Sequence, residues 1–217
     1  MMDLSEYFNQ RILLQKEQYH WLNQTLANEK IQVHRIANFG CQDGTETLTL
    51  GYILGVQEAW GIDKNEVEIM NAQRTLKTIQ DIKWTRGVPT NAPAFLRQQN
   101  IEHAVKFYTG DIKSITSALP SEYFDLAFCH LVLYHIWLDQ GGGRAAQSAV
   151  QEMARVVRAG GIIAASEPTV RAGKFEINFE QYFEANGLKP LHIESKSFAE
   201  NQDTKYFYVK DSTTKHS

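Results

Sequence analysis

"HRIANFGCQDGTETLTLGYILG", residues 34–55, changes character midway. It begins as a short apolar run of the kind that forms a buried strand, turns through Gly40 and Gly44, and continues with apolar residues at helical spacing. A strand that leads through a glycine turn into a helix opens an α/β sheet, and in such sheets ligands sit beyond the carboxyl ends of the strands. The turn is therefore the first place to look for a binding site. Gly40 and Gly44 let the main chain come close to a ligand, and the start of the helix is expected to offer unpaired N–H groups to an anionic group.

The rest of the chain repeats this alternation. Upstream, Leu4, Phe8, Ile12, Leu13, Leu14, Tyr19, Leu22 and Leu26 predict a leading helix within residues 1–30. Downstream of the first strand (33–39) and its helix (44–57) come a strand "EAWGID" ending at Asp63 and a helix from Lys64 to about Gln80. Residues 81–103 hold two prolines and show no clear period, which predicts an inserted loop with one helical turn around "APAFLRQQ". "AVKFYT", "YFDLAFCH" and "IIAASEP" read as three more strands. The spacing of Ala146, Ala149, Val150, Met153, Val156 and Val157 predicts a helix before the last of these, stopped by Gly160 and Gly161. After a helix at "NFEQYFEANG", two strand candidates predict a closing hairpin. "IIAASEP" is too continuously apolar for a sheet with one wet face, so the sheet is expected to be parallel and covered on both sides. The fold class is α/β: a doubly wound, mostly parallel sheet with helices on both faces and a closing hairpin.

Composition narrows the class of function. At 217 residues, 43% of them apolar, the chain can bury one sizeable core, and a single domain over 1–217 is expected. A formal charge of −3 without any Lys/Arg cluster argues against nucleic acid as the main partner. No segment is long and apolar enough to span a bilayer, and the first residues do not form a signal peptide. The cysteines, Cys41 and Cys129, have no metal-ligand spacing and suit a reducing cytoplasm; no metal site is expected.

Polar residues gather at the expected carboxyl ends: "FGCQDG" after strand one, Asp63 after strand two, "GDI" after strand three, "CH" after strand four and "SEP" after strand five. A carboxylate at the position of Asp63 can accept two hydrogen bonds from a ribose diol. The turn lacks the glycine spacing of the nicotinamide-dinucleotide fingerprint, with Gln42 and Thr45 in those places, and lacks the Gly-Lys-Ser/Thr ending of a P-loop.

"IANFGCQDGTETLTLG", "WGIDKNEVE", "FYTGDI", "YFDLAFCHLVLYHI" and "VVRAGGIIAASEP" together resemble the ordered motifs of the class I S-adenosylmethionine-dependent methyltransferases over roughly residues 33–168. The resemblance implies a Rossmann-like, seven-stranded, mostly parallel sheet with a reversed terminal strand, S-adenosylmethionine as cofactor and S-adenosylhomocysteine as product. It implies that Phe39, Gly40, Cys41, Gln42 and Gly44 surround the methionine part, that Asp63 and Lys64 meet the ribose, that Asp111 and Ile112 meet the adenine, and that His130 lies near the methyl group. Two positions depart from the family pattern. Asn38 stands where an acidic residue is usual, and Gln42 replaces the middle glycine.

Methyl transfer asks the protein mainly to align a nucleophile with the sulfonium carbon, and an oxygen or nitrogen acceptor also calls for a general base. Histidine is suited to that task, and His130 and His135 are the candidates. The alternatives are that His130 is a polar strand-end residue and that His135 packs with Tyr134 on a short helix. Asp63 and Asp111 could each cap a helix. Glu167 either orients an acceptor or serves the fold.

The expected activity is methyl transfer to an oxygen or nitrogen of a small-molecule acceptor. One alternative is a protein carboxyl methyltransferase, since "GCQDGTET" and "DLAFCHLVLYHI" resemble the chemotaxis-receptor methyltransferases. Another is a non-catalytic cofactor- or partner-binding domain. Residues 81–103 are expected to form a lid over the acceptor cleft.

Overall fold

The computed structural model describes residues 6, 18–86, 93–114, 119–139, 142–168, 171–172, 175–198 and 201–211. They fall into two compact units, Met1–Gly110 and Asp111–Ser217.

The first unit contains α1 (His20–Asn28), β1 (Arg35–Phe39), α2 (Thr45–Leu54), β2 (Glu58–Asp63), α3 (Glu66–Arg86), α4 (Ala94–Arg97), a 3-10 turn (Ile101–His103) and β3 (Val105–Thr109). Residues 1–5 and 7–17 of the expected leading helix lie outside the described residues; within α1, Leu22 and Leu26 form the buried face. β1 pairs in parallel with β2, and β2 with β3, in a register that aligns Phe39 with Ile62 and Asp63 with Thr109. Parallel neighbours need crossovers, which α2 and α3 supply. Ile36–Phe39 and Ala59–Ile62 are buried without interruption, so both faces of β1 and β2 are covered, as the apolar runs predict. Gly61 makes this closeness possible. A Cβ there would lie 2.6 Å from Phe107 Cδ1 and 2.8 Å from Thr47 Oγ1.

The segment 81–103 departs from the expected loop. α3 continues through it to Arg86, and after residues 87–92, which lie outside the described residues, α4 forms the helical turn read at "APAFLRQQ". Phe95, Leu96 and Ile101 are buried, and Phe95 Cε1 would stand 3.2 Å from a Cβ on Gly51 of α2. Phe95 and Leu96, which belong to the segment expected to form a lid, are thus already seated in the first unit's core. Pro89 and Pro93 both lie beyond Arg86 and do not interrupt α3; the lack of a clear period after Gln80 is what hides its last turn in the sequence.

The second unit contains β4 (Phe124–His130), α5 (Val132–Asp139), α6 (Gly143–Val156), β5 (Val157–Pro168), the two-residue strands β6 (Arg171–Ala172) and β7 (Phe175–Glu176), α7 (Glu180–Glu184), β8 (Leu188–Phe198) and β9 (Asn201–Lys210). β4 and β5 are parallel, while β9 runs antiparallel to both β5 and β8 and closes the chain in the expected hairpin. The two units together hold the seven strands of the sheet, with β9 as its reversed member. The ribbon β6–β7 is a further pairing that the sequence pattern does not reveal.

On α6, Ala146, Ala149, Val150, Met153 and Val156 are buried, as their spacing predicts. Gly160 and Gly161 do not stop that helix. It ends at Val156, with Val157 already extended, and the β4–β5 register jumps from Phe124↔Val157 to Leu126↔Ile162. The glycines belong to the bulge this creates. A Cβ on Gly161 would lie 2.6 Å from Val157 Cγ1 and 3.0 Å from the Asp125 carbonyl oxygen. α7 lies against the hairpin through aromatic contacts: Phe183 stacks on Tyr208 at 4.6 Å, and Phe179 meets Tyr206 edge-on at 6.2 Å.

Candidate functional site

The turn after β1 is held in shape by its own hydrogen bonds. Gly40, Gln42 and Gly44 have φ of +77°, +47° and +80°, a left-handed backbone that favours glycine, so Gln42 occupies a costly conformation with its side chain exposed. The N–H groups of Gly40 and Cys41 both donate to the Ile62 carbonyl, at 2.7 and 3.1 Å, and Gly44 N–H donates to the Cys41 carbonyl at 2.9 Å. Gln42 N–H donates to Asp63 Oδ2 at 3.0 Å, and Thr45 N–H to Asp43 Oδ1 at 3.1 Å. The expectation of unpaired N–H groups is therefore not met at these five positions, because β2, the turn's own Cys41 carbonyl and two aspartates already accept from them. Gly44 also owes its identity to protein rather than ligand. A Cβ there would come within 2.7 Å of both Ala72 Cβ and Phe107 Cζ.

Asp63 joins this turn to the next helix. While Oδ2 accepts from Gln42, Oδ1 accepts from Asn65 N–H at 2.8 Å, and Asn65 Oδ1 in turn accepts from Val67 N–H at 3.0 Å. A carboxylate has about four acceptor sites, so two bonds leave capacity for a ligand diol. Asn65 is a helix-start residue that the reading missed, although its position two residues beyond a strand-end aspartate is a recognisable signal. Lys64 is exposed beside it, and the Phe39 side chain is fully buried in the core, which leaves only its main chain for a ligand.

Asn38 is also fully buried. Its Nδ2 donates to Thr47 Oγ1 at 3.0 Å and its Oδ1 has no hydrogen-bond partner. Turning the amide over would orphan the nitrogen instead, so one polar atom behind the turn goes unsatisfied either way. The Cys41 thiol donates weakly to the Gln42 carbonyl, and burial, with Asp63 and Glu46 adding to it, pushes its pKa up, so it stays a neutral thiol. Both cysteines are buried thiols outside any disulfide. A thiol reagent is expected to label neither in the native protein and both after unfolding; rapid native labelling of either would contradict that burial.

In the second unit, Asp111 is engaged locally. Its Oδ1 accepts from Lys113 N–H at 3.0 Å and its Oδ2 pairs with Lys113 Nζ at 3.2 Å, while Ile112 is buried beside it. Residues 115–118 of the short helix expected there lie outside the described residues. His130 ends β4 half-buried, and His135 is exposed on α5, its ring 5.3 Å from that of Tyr134.

Glu167 serves the same region in a way that sequence spacing does not show. Its Oε1 accepts from Leu133 N–H and its Oε2 from Tyr134 N–H, each at 3.1 Å, and the Cys129 thiol lies 3.6 Å from Oε1. The carboxyl thus satisfies the first-turn amides of α5, which follow directly on Leu131, a residue with φ of +60°. Burial raises its pKa to about 8, with the Tyr134 and Leu133 amides pulling the other way. Lys205, on β9, donates from Nζ to Ser166 Oγ.

Among the described residues, no group of three or more His, Cys, Asp and Glu side chains could hold a metal ion, and no helix is long and apolar enough to cross a membrane. A cavity of about 450 Å3 is lined by Gln80, Gln98, Gln99, Asn100, Glu102 and His103, all but Gln80 within the segment 81–103 and none of them a candidate site residue.

Residues 37–165 match a family model described as a methyltransferase domain. No curated protein matches the chain. Among solved structures, it is similar to magnesium protoporphyrin IX methyltransferase from Synechocystis PCC 6803 with bound S-adenosylmethionine: 14% identity, TM-score 0.60, over 90% of this chain and 79% of that one. It is similar to the N-methyltransferase NodS from Bradyrhizobium japonicum WM9 in complex with S-adenosylhomocysteine: 15% identity, TM-score 0.59, over 89% and 86%. The [4+2]-cyclase SpnF shares the fold as well: 17% identity, TM-score 0.59, over 88% and 81%. At these identities the likeness is one of fold.

Proposed function

This chain belongs to the methyltransferase domain family, and from that premise we propose that it moves a methyl group from S-adenosylmethionine to an oxygen or nitrogen of a small-molecule acceptor, releasing S-adenosylhomocysteine. The observation that carries the reading is the chemistry of the turn after β1. With the amides of Gly40, Cys41, Gln42, Gly44 and Thr45 all donated within the protein, the turn has little left with which to cradle a phosphate, and Asp43 and Asp63 give it negative charge. Such a donor set suits a cofactor with no phosphate and with positive centres, an ammonium and a sulfonium, and it disfavours dinucleotides and nucleoside triphosphates.

Bound there, the cofactor would supply an electrophilic methyl carbon whose bond to sulfur breaks as the acceptor's bond to carbon forms. Gly40–Gly44, with Phe39 and Cys41 contributing main chain, would hold the methionine part. Asp63 would accept from the ribose hydroxyls with Lys64 beside it, and Asp111 and Ile112 would meet the adenine. His130 would take the proton that the acceptor gives up, with His135 as the second candidate. The acceptor must be positioned by the protein, because alignment supplies much of the rate in such a displacement.

The test is Asp63→Ala against Asp63→Asn, followed by calorimetry with S-adenosylhomocysteine. Hydrogen bonds to a charged group contribute about 1.5 to 3 kcal/mol, so alanine should weaken binding tenfold or more, and asparagine, which keeps one acceptor oxygen, should weaken it less. An unchanged dissociation constant in folded Asp63→Ala would remove the assignment.

The unsatisfied Asn38 Oδ1 and the strained Gln42 favour one rival, a domain that keeps the fold without turnover. Native protein that binds neither S-adenosylmethionine nor S-adenosylhomocysteine would establish that rival.

A further inference from the structure

The inner strands of the second unit change polarity in a single row. Near the carboxyl end of β4, the row Phe128–Ala164–Phe207 runs across β4, β5 and the antiparallel β9, and all three side chains are fully buried. Side chains on a strand alternate in direction, so the residues two positions further on share that face. They are His130, Ser166 and Lys205, aligned by the pairs His130↔Ser166 and Ser166↔Lys205. An apolar face therefore ends, on three strands at once, in an imidazole, a hydroxyl and an ammonium.

The ammonium is held in place. Lys205 Nζ donates to Ser166 Oγ, and Ser166 is only 2% exposed. Asp203 Oδ2 lies 3.5 Å from the same nitrogen; the lysine side chain is 12% exposed and the aspartate 42%. A long side chain whose head is fixed before a ligand arrives loses little further freedom on binding, which favours its use in recognition. The cation is thus pre-positioned in the same row as the half-buried His130.

The geometry points to Lys205, fixed by Ser166, as the residue that selects a methyl acceptor bearing a carboxylate and holds it in the row that ends at His130. This rests on the methyltransferase reading above. A lysine ammonium is a compact point charge, suited to one anionic group and without the paired fork of an arginine. The Asp203 carboxylate on the same ammonium limits how much more negative charge the position can take. A singly charged carboxylate fits that limit better than a doubly charged phosphate.

The experiment uses the full chain saturated with S-adenosylhomocysteine and follows the histidine ring resonances by NMR, with His130→Gln to assign the His130 signal. Benzoate, its neutral isostere benzamide, and inorganic phosphate are titrated in turn. Benzoate is expected to shift the His130 signal saturably, and benzamide to leave it in place. Lys205→Met, which keeps the length of the side chain without its charge, should weaken the benzoate effect at least tenfold, and Lys205→Arg should recover part of it. S-adenosylhomocysteine should bind Lys205→Met as it binds the unaltered protein. A phosphate response stronger than that of benzoate, equal responses to benzoate and benzamide, a response unchanged in Lys205→Met, or no response to any probe would each overturn the assignment. Failure of the protein to bind S-adenosylhomocysteine in the first place would instead sink the methyltransferase reading, so the two failures are told apart.

Discussion

Replacing Gly44 with alanine is expected to destabilise the protein by roughly 2 to 5 kcal/mol, the sum of a left-handed backbone cost of about 1 to 2 and an overpacking cost of about 1 to 3. The first contribution follows from φ of +80°, and the second from a Cβ placed 2.7 Å from Ala72 Cβ and from Phe107 Cζ. Neither neighbour can easily give way, since Ala72 and Phe107 are both buried in the unit they share with Gly44. Gly55 supplies the comparison. Its φ is +65°, but nothing lies within 4 Å of its would-be Cβ, so Gly55→Ala should carry only the backbone cost. Denaturant midpoints measured on both variants separate the two contributions. Equal losses at the two positions would show that the close approach at Gly44 counts for nothing.

Glu167→Ala is expected to cost a comparable amount for a different reason. The amides of Leu133 and Tyr134 would lose their acceptor in a place where water does not readily replace it, at about 1 to 3 kcal/mol for each. The same carboxyl should make stability depend on pH. In the folded protein its pKa is raised to about 8 from an ordinary value of 4.5, so between those limits the folded chain keeps a proton that the unfolded chain has released. Stability should therefore fall as pH rises through that window and level off above it, by up to a few kcal/mol. Glu167→Gln, which retains an acceptor oxygen and cannot ionise, should flatten that slope. Denaturant midpoints for both proteins across the window test this, and a slope that survives in Glu167→Gln would place its origin elsewhere.

The order of strands and helices was legible because the parallel strands carry short, mainly apolar runs set apart by helical spacing. Ile36, Ala37 and Phe39, like Phe124, Leu126, Ala127 and Phe128, are buried on both faces and can hardly be read otherwise. Asp63 was legible for a related reason, since a lone carboxylate that ends such a run must point out of the sheet. What sequence could not show depends on partners distant along the chain. Gly44 is a glycine because of Ala72 and Phe107, and no spacing within "GCQDG" contains that information. Glu167 could be seen at the end of β5, but its two amide partners belong to a helix that follows β4. The pairing of Lys205 with Ser166 needs the register of β9 against β5, which alternation along "TKYFYVK" leaves free to slip. Gly160 and Gly161 were misread because a helix stop and a strand bulge use the same residue type.

The turn after β1 has a consequence for how this lineage can change. Because the Ile62 carbonyl and the Asp63 carboxylate take up the amides of Gly40, Cys41 and Gln42, the shape of the turn is tied to the alignment of the first two strands. The acceptor for Gly40 and Cys41 is a main-chain carbonyl, so no side-chain substitution would release those two donors for a phosphate; the strands themselves would have to slide. The row at His130, Ser166 and Lys205 is under no such constraint, because its side chains can be exchanged without moving the main chain. Descendants of this protein can thus drift to new acceptors by point mutation, while the cofactor they inherit stays fixed by the backbone.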